Sequence, residues 1–310
     1  MNSGALRDDF DHNLLYIQPT YVMNEQLPPT AILLISCPDR PGIVAAVTDF
    51  IFQHKGNILD LDQHVDRAVG VFLMRVALQA ESEALSPEYF ATAFAAIADR
   101  FHMQWELHDT SNRAQMAVFV TRESHCLFDL LARHQSGEWW ADIPLVIGNR
   151  DDLQDVVEKF GIPFHLFPIN AQNKAEQEQA EIELMRAYNI DTIVLARYMQ
   201  ILSPDFLRQY PFRVINIHHS FLPAFPGARP YHAAHARGVK IIGATCHYAT
   251  ADLDEGPIIE QDVIRVSHRD DVLDFIRKGK DAEKIVLARA VTAHLDHRVI
   301  VYDNRTVVFR

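Results

Sequence analysis

Two short segments concentrate the residue types that acyl chemistry uses. Residues 214–231 read Val-Ile-Asn-Ile-His-His-Ser-Phe-Leu-Pro-Ala-Phe-Pro-Gly-Ala-Arg-Pro-Tyr and set Asn216 and His218 two positions apart. Strand side chains alternate between faces, so a strand here points Asn216 and His218 to one side and turns Ile215 and Ile217 to the core. An amide and an imidazole on one face can converge on one carbonyl: the amide donates to a developing oxyanion, and the imidazole donates to it or moves a proton. The second segment, residues 243–259, is another strand followed by a loop carrying Asp252, Asp254 and Glu255. A carboxylate from that loop can orient the histidine and hold its charge.

The elements that must position these groups follow from apolar periodicity. Residues 1–28 are polar and mixed, with no long period, and are read as an extension. An apolar run at 31–36, a Pro- and Gly-containing turn, a helix to about His54, strands at 58–65 and 70–78 joined as a hairpin, a helix over 87–100 and a short strand at 102–107 give the order βαββαβ. That order predicts a split βαβ sandwich of the ferredoxin-like kind. Residues 109–115 are polar and read as a linker. Beyond it apolar strands at 116–120, 143–147, 164–167 and 192–196 alternate with helices, which predicts a doubly wound, mostly parallel α/β sheet with ligands at the carboxyl ends of its strands. Residues 298–309 read as a hairpin about Asp303 and Asn304.

Composition narrows the class. A length of 310 residues fits two domains better than one core, and 48% hydrophobic residues supply enough apolar mass to fill them. The formal charge of −12 argues against a protein that grips nucleic acid or an anionic membrane. No apolar run approaches the roughly 18 residues that span a bilayer, and Cys37, Cys126 and Cys246 lie too far apart for a disulfide framework or a zinc site, so a cytoplasmic protein with reduced thiols is expected. His219, His232 and His235 come without Asp or Glu at metalloprotease spacing, and no metal is expected.

The motif Asn-Ile-His-x-Ser-x-Leu-Pro from Asn216, with Leu-Asp-x-Gly-Pro from Leu253, resembles the catalytic domain of the folate-dependent formyltransferase family. The resemblance spans about Met116 to His268 and implies a catalytic triad of Asn216, His218 and Asp254. Residues 195–203, Leu-Ala-Arg-Tyr-Met-Gln-Ile-Leu-Ser, resemble that family's pterin-pocket loop, which implies substrate contacts from Leu195, Arg197, Tyr198, Met199, Ile201 and Leu202, with His247 and Thr250 alongside. In the first half, Asp-Arg-Pro-Gly-Ile from Asp39 and Gly-Asn-Ile from Gly56 resemble an ACT domain, a small module that senses amino acids. This implies an effector site near Asp39, Gly42 and Asn57 at an interface between subunits of a homo-oligomer, for an amino acid such as glycine or methionine. The resulting division is an extension over 1–28, an ACT-like domain over 29–110 and a formyltransferase-like domain over 111–310.

Within that family, an acceptor's phosphate needs a glycine-rich turn after the first strand, where bare backbone N–H groups meet the anion. The turn here, Val120 to Cys126, holds no glycine, and Glu123 is expected to repel a phosphate. A tRNA acceptor needs a basic surface, which an acidic chain does not offer. Water is left as the nucleophile. The resemblance therefore implies hydrolysis of 10-formyltetrahydrofolate to tetrahydrofolate and formate, feeding one-carbon and purine metabolism, with folate as substrate and no separate cofactor.

Overall fold

The computed structural model describes residues 30–79, 86–224 and 229–310. The extension expected over residues 1–28 lies outside them. β1 (Thr30–Pro38), α1 (Ile43–Gln53), β2 (Asn57–Asp66), β3 (Val71–Gln79), α2 (Pro87–Phe101) and β4 (Gln104–Asp109) follow the expected βαββαβ order. Their strands form an antiparallel sheet in the order β2-β3-β1-β4. Alternation along β1 and β3 explains the packing: Leu33, Ile35, Met74 and Val76 face α1 and α2, where Val47, Phe50, Phe90 and Phe94 complete a core. Ile32, Leu34 and Leu73 turn to the other face, which is why β1 reads as an unbroken apolar run.

The second sheet is built from β5 (Ala114–Val120), α3 (His125–Gln135), β6 (Ala141–Gly148), α4 (Gln154–Lys159), β7 (Phe164–Leu166), α5 (Lys174–Ala187), β8 (Thr192–Leu195), α6 (Pro204–Leu207), β9 (Val214–His218), α7 (Pro230–Arg237), β10 (Ile241–Tyr248), β11 (Ile258–Arg265) and α8 (Val272–Leu295). The order is β11-β10-β9-β8-β5-β6-β7, with β5 to β9 parallel and β10 antiparallel to both neighbours. The chain winds from β5 outward through β6 to β7, then returns to β8 on the other side. The strand order therefore switches between β5 and β8, the place where open α/β sheets bind ligands, at the carboxyl ends of the strands. Met116, Val118 and Val120 pack on one face of β5 while Ala117 and Phe119 pack on the other, as a sheet covered on both sides requires.

Helix α8, started by a capping box of Asp271 and Asp274, lies across β9, β10 and β11. The periodicity reading did not anticipate it. The C-terminal hairpin of β12 (Val299–Tyr302) and β13 (Arg305–Val308) turns at Asp303 and Asn304, as expected. Its Ile300, together with Phe309 just beyond β13, covers the second face of the first sheet through Ile32, Leu34 and Leu73. All three cysteines are buried free thiols. No described helix is long and apolar enough to cross a membrane.

The seam between the sheets holds two histidines that burial keeps neutral. His294 receives the Tyr248 hydroxyl at 2.9 Å, and burial pulls its pKa down to about 4. His297 stacks on His108 at 3.9 Å and is pulled down to about 3, first by burial and then by the His108 charge. An unfolded histidine titrates near ~6.5. Between that value and about 4, the unfolded chain binds protons that the folded chain refuses at His294 and His297, so stability falls as pH falls through this window. Urea midpoints at pH 7 and pH 5 are expected to show the loss; an equal or higher midpoint at pH 5 contradicts it.

Candidate active site

Strand β9, next to β8, has its side chains divided as alternation demands. Ile215 and Ile217 are in the core beneath the sheet, and Asn216 and His218 share the opposite face. Antiparallel pairing sets Asn216 directly across from His247 and His218 across from Thr245. His247 is buried, its Nδ1 lies 2.9 Å from the Tyr248 carbonyl and its Nε2 lies 3.1 Å from Asn216 Nδ2. A carbonyl only accepts, so Nδ1 carries the hydrogen and Nε2 accepts from the amide. Burial lowers the His247 pKa, which favours this neutral form. The Asn216 amide is thus held by one of its two N–H groups, leaving the other with no partner among the described residues.

His218 is buried, and its Nδ1 lies 3.1 Å from Asp254 Oδ1. His247 Nε2 is 3.8 Å from the same oxygen, too long for a hydrogen bond. The hydrogen bond from His218 holds the Asp254 carboxyl below the usual carboxylate range, against the upward push of partial burial. Asp254 is therefore ionised, and the Nδ1–H of His218 donates to it. The other ring nitrogen, Nε2, is buried without a hydrogen-bond partner among the described residues. Asp254 adopts a left-handed backbone with φ of 59°. Gly256 lets this loop close on β10, because a Cβ there would lie 1.7 Å from the Tyr248 carbonyl oxygen. The structure thus brings Asn216, His218, Asp254 and His247 together, while Thr250 sits in the loop with its hydroxyl on the Asp252 carbonyl.

The loop after β8 divides differently from its expected uniform role. Met199 and Ile201 are 53% and 56% exposed and present apolar surface at the switch point. Leu195, Tyr198 and Leu202 are buried in the core beneath them, so they support the loop from below. Arg197, at φ of 61°, turns its guanidinium inward, where Nε lies 3.4 Å from Glu283. Several supports escaped the sequence reading. Thr121 accepts from Met199 N at 3.0 Å, and Glu178 accepts from Ser203 N at 3.0 Å. Glu181 faces the Tyr198 hydroxyl at 3.4 Å, and burial followed by the nearby Glu178 charge pushes its carboxyl up to about 8. Spacing of Glu178, Glu181, Ile182 and Met185 on one helical stripe was the available signal.

Beneath Arg197 lies a buried cluster on α8. Glu283, 1% exposed, accepts from His125 Nε2 at 2.9 Å and from the Tyr231 hydroxyl at 2.5 Å. Burial raises its pKa, but His125, Arg197 and Tyr231 outweigh that and leave it lowered. Cys126 approaches the same carboxylate, yet burial raises its thiol pKa and Arg197 already balances the charge, which disfavours a metal ion. The glycine-free turn carries Glu123 as expected, but Lys280 Nζ pairs with it at 2.5 Å, so its charge is compensated within the chain. The expected effector residues do not meet within one chain. Asp39 and Gly42 follow the Pro38 end of β1, whereas Asn57 lies level with Thr30, since both pair with Gln79, a strand length of roughly 27 Å away.

A doubly wound sheet with an amide and an imidazole on one face of a strand, and an ionised carboxylate on the imidazole, belongs to the folate-dependent formyltransferase class. Residues 114–291 match the formyl transferase family and residues 31–85 match the ACT domain. The chain belongs to the formyltetrahydrofolate deformylase family. It is 56% identical over 280 residues to the formyltetrahydrofolate deformylase of Synechocystis sp., covering 90% of this chain and 98% of that relative. The solved structure of a formyltetrahydrofolate deformylase from Pseudomonas syringae pv. tomato superimposes with a TM-score of 0.87 at 48% identity, covering 92% of this chain and 96% of that one. A glycinamide ribonucleotide transformylase from Symbiobacterium toebii aligns at a TM-score of 0.62 and 28% identity over 66% of this chain and 98% of its own.

Proposed function

We propose that this chain hydrolyses 10-formyltetrahydrofolate to tetrahydrofolate and formate, with Asn216, His218 and Asp254 as its catalytic residues. The observation that supports the reading is a pair of hydrogen-bond groups on one face of β9: the second N–H of Asn216, whose first is taken by His247, and His218 Nε2, buried without a partner among the described residues. Water attacks the formyl carbon, forming a C–O bond. His218 Nε2 takes the attacking water's proton, and the oxyanion accepts hydrogen bonds from the resulting Nε2–H and from Asn216 Nδ2, while Asp254 stabilises the imidazolium through Nδ1. Collapse breaks the C–N bond, and the water's proton passes by way of the His218–Asp254 pair to the leaving nitrogen. Met199 and Ile201 supply the apolar floor for the flat pterin ring.

Water is preferred to a phosphorylated acceptor because the turn after β5 has no glycine and its neighbouring cations, Lys280 and Arg197, are committed to Glu123 and Glu283. The first domain binds an amino acid such as glycine or methionine, and since Asp39 and Asn57 lie at opposite ends of its sheet, a site using both takes them from two chains of a homo-oligomer. The protein acts in the cytoplasm, where its formate feeds purine synthesis. Formate release from 10-formyltetrahydrofolate in buffer alone, unchanged by added glycinamide ribonucleotide, supports the reading; release only with an acceptor defeats it.

A further inference from the structure

The C-terminal hairpin touches both sheets. On one side Ile300 and Phe309 pack on Ile32, Leu34 and Leu73. Two polar ties reinforce this contact at the end of β2, where Asp66 accepts from the Tyr302 hydroxyl at 3.1 Å and pairs with Arg305 at 3.2 Å. Buried Arg75 of β3 adds a third, donating to the Asp296 and His297 carbonyls at 3.1 and 3.0 Å just before the hairpin begins. On the other side, Asn304 at the turn donates Nδ2–H to the Glu255 carbonyl at 2.8 Å, and the Thr306 hydroxyl donates to the Ile258 carbonyl. Glu255 is the residue after Asp254.

We propose that the hairpin is a strut that fixes the Asp254 loop to the ACT sheet, with Asn304 as the positioning residue that sets the aspartate against His218. The inference rests on the deformylase reading for its kinetic part only. Asp254 holds a left-handed backbone, which tertiary contacts must impose, and Asn304 grips the carbonyl of the next residue, Glu255. A shift of β1 or β3 then reaches the catalytic loop through one packed layer and one hydrogen bond. The charged groups facing Asp254 are His218 and His219 from the end of β9 and His247 from β10. None of these three belongs to the hairpin, so a change in Asp254 titration after hairpin mutation reports loop geometry.

In the full-length chain, Asn304→Ala is expected to lower kcat by about 10- to 100-fold, the range a displacement near one ångström produces, with the folate KM changed by less than about twofold. Carbon-13 NMR of the Asp254 carboxyl is expected to show a higher titration midpoint in this variant, as the hydrogen bond from His218 lengthens. Asp66→Asn, at the far end of the strut, is expected to give the same signature at smaller size. Folding is checked by circular dichroism, and Asp66→Asn keeps the test open if Asn304→Ala does not fold. Folded variants with wild-type kcat and an unmoved Asp254 titration overturn the strut. The carboxyl titration needs no substrate, so absence of formate release by the wild-type protein defeats the deformylase reading alone.

Discussion

Asn216→Ala is expected to cut formate release by roughly 10²- to 10³-fold, the usual cost of removing one oxyanion donor, with little change in melting temperature. The side chain is only half-buried, and its one described tie is to His247 Nε2, a nitrogen that can instead take water. His247 keeps its own anchor on the Tyr248 carbonyl, so the strand pairing of β9 and β10 stays intact. Asn216→Asp sharpens the test, since it preserves the shape while placing a negative charge where the oxyanion forms; its loss is expected to equal or exceed that of alanine. His218→Ala is expected to lose at least as much, because it removes a second donor and strips Asp254 of its partner at 3.1 Å. Activity and thermal melts on the same preparations check this, and near-normal turnover by folded Asn216→Ala rejects its role.

The largest stability effect is expected at Glu283→Ala, about 3–5 kcal/mol by urea unfolding, as for other buried pairs that lose one partner. His125 and Tyr231 donate to this carboxylate, which is 1% exposed, and the Arg197 guanidinium pairs its charge with it at 3.4 Å. Alanine leaves a cation and two polar groups buried without their acceptor. By contrast, the exposed i,i+3 pair of Arg277 and Asp274 on the same helix is expected to contribute no more than about 0.5 kcal/mol. A Glu283→Ala midpoint shift no larger than that of Arg277→Ala would show that the cluster is solvated and the assignment wrong.

Elements whose information is local were legible in the sequence. The alternation of Ile215, Asn216, Ile217 and His218 placed two polar groups on one face of a strand, and the structure has them there. The Asp303 and Asn304 turn was likewise readable. Glu283 was not, because a glutamate on an amphipathic helix reads as solvated; its burial is created by residues 52, 86 and 158 positions away in the chain. The loop over 195–202 is mostly apolar by sequence, yet only the turn geometry after β8 decides that Leu195 and Leu202 face inward while Met199 and Ile201 face out. Asp39 and Asn57 sit on adjacent turns of one motif, but strand register puts them at opposite ends of the sheet. The same register explains why the tail, a plain hairpin by sequence, serves as the cover of the first sheet.

Solvent isotope incorporation identifies the nucleophile. When the purified protein turns over 10-formyltetrahydrofolate in H₂¹⁸O with no acceptor present, each formate released is predicted to carry one ¹⁸O from water, at a rate that Asn216→Ala lowers by roughly 10²- to 10³-fold. Unlabelled formate, or labelled formate produced equally fast by the Asn216 variant, would contradict attack by water at this site.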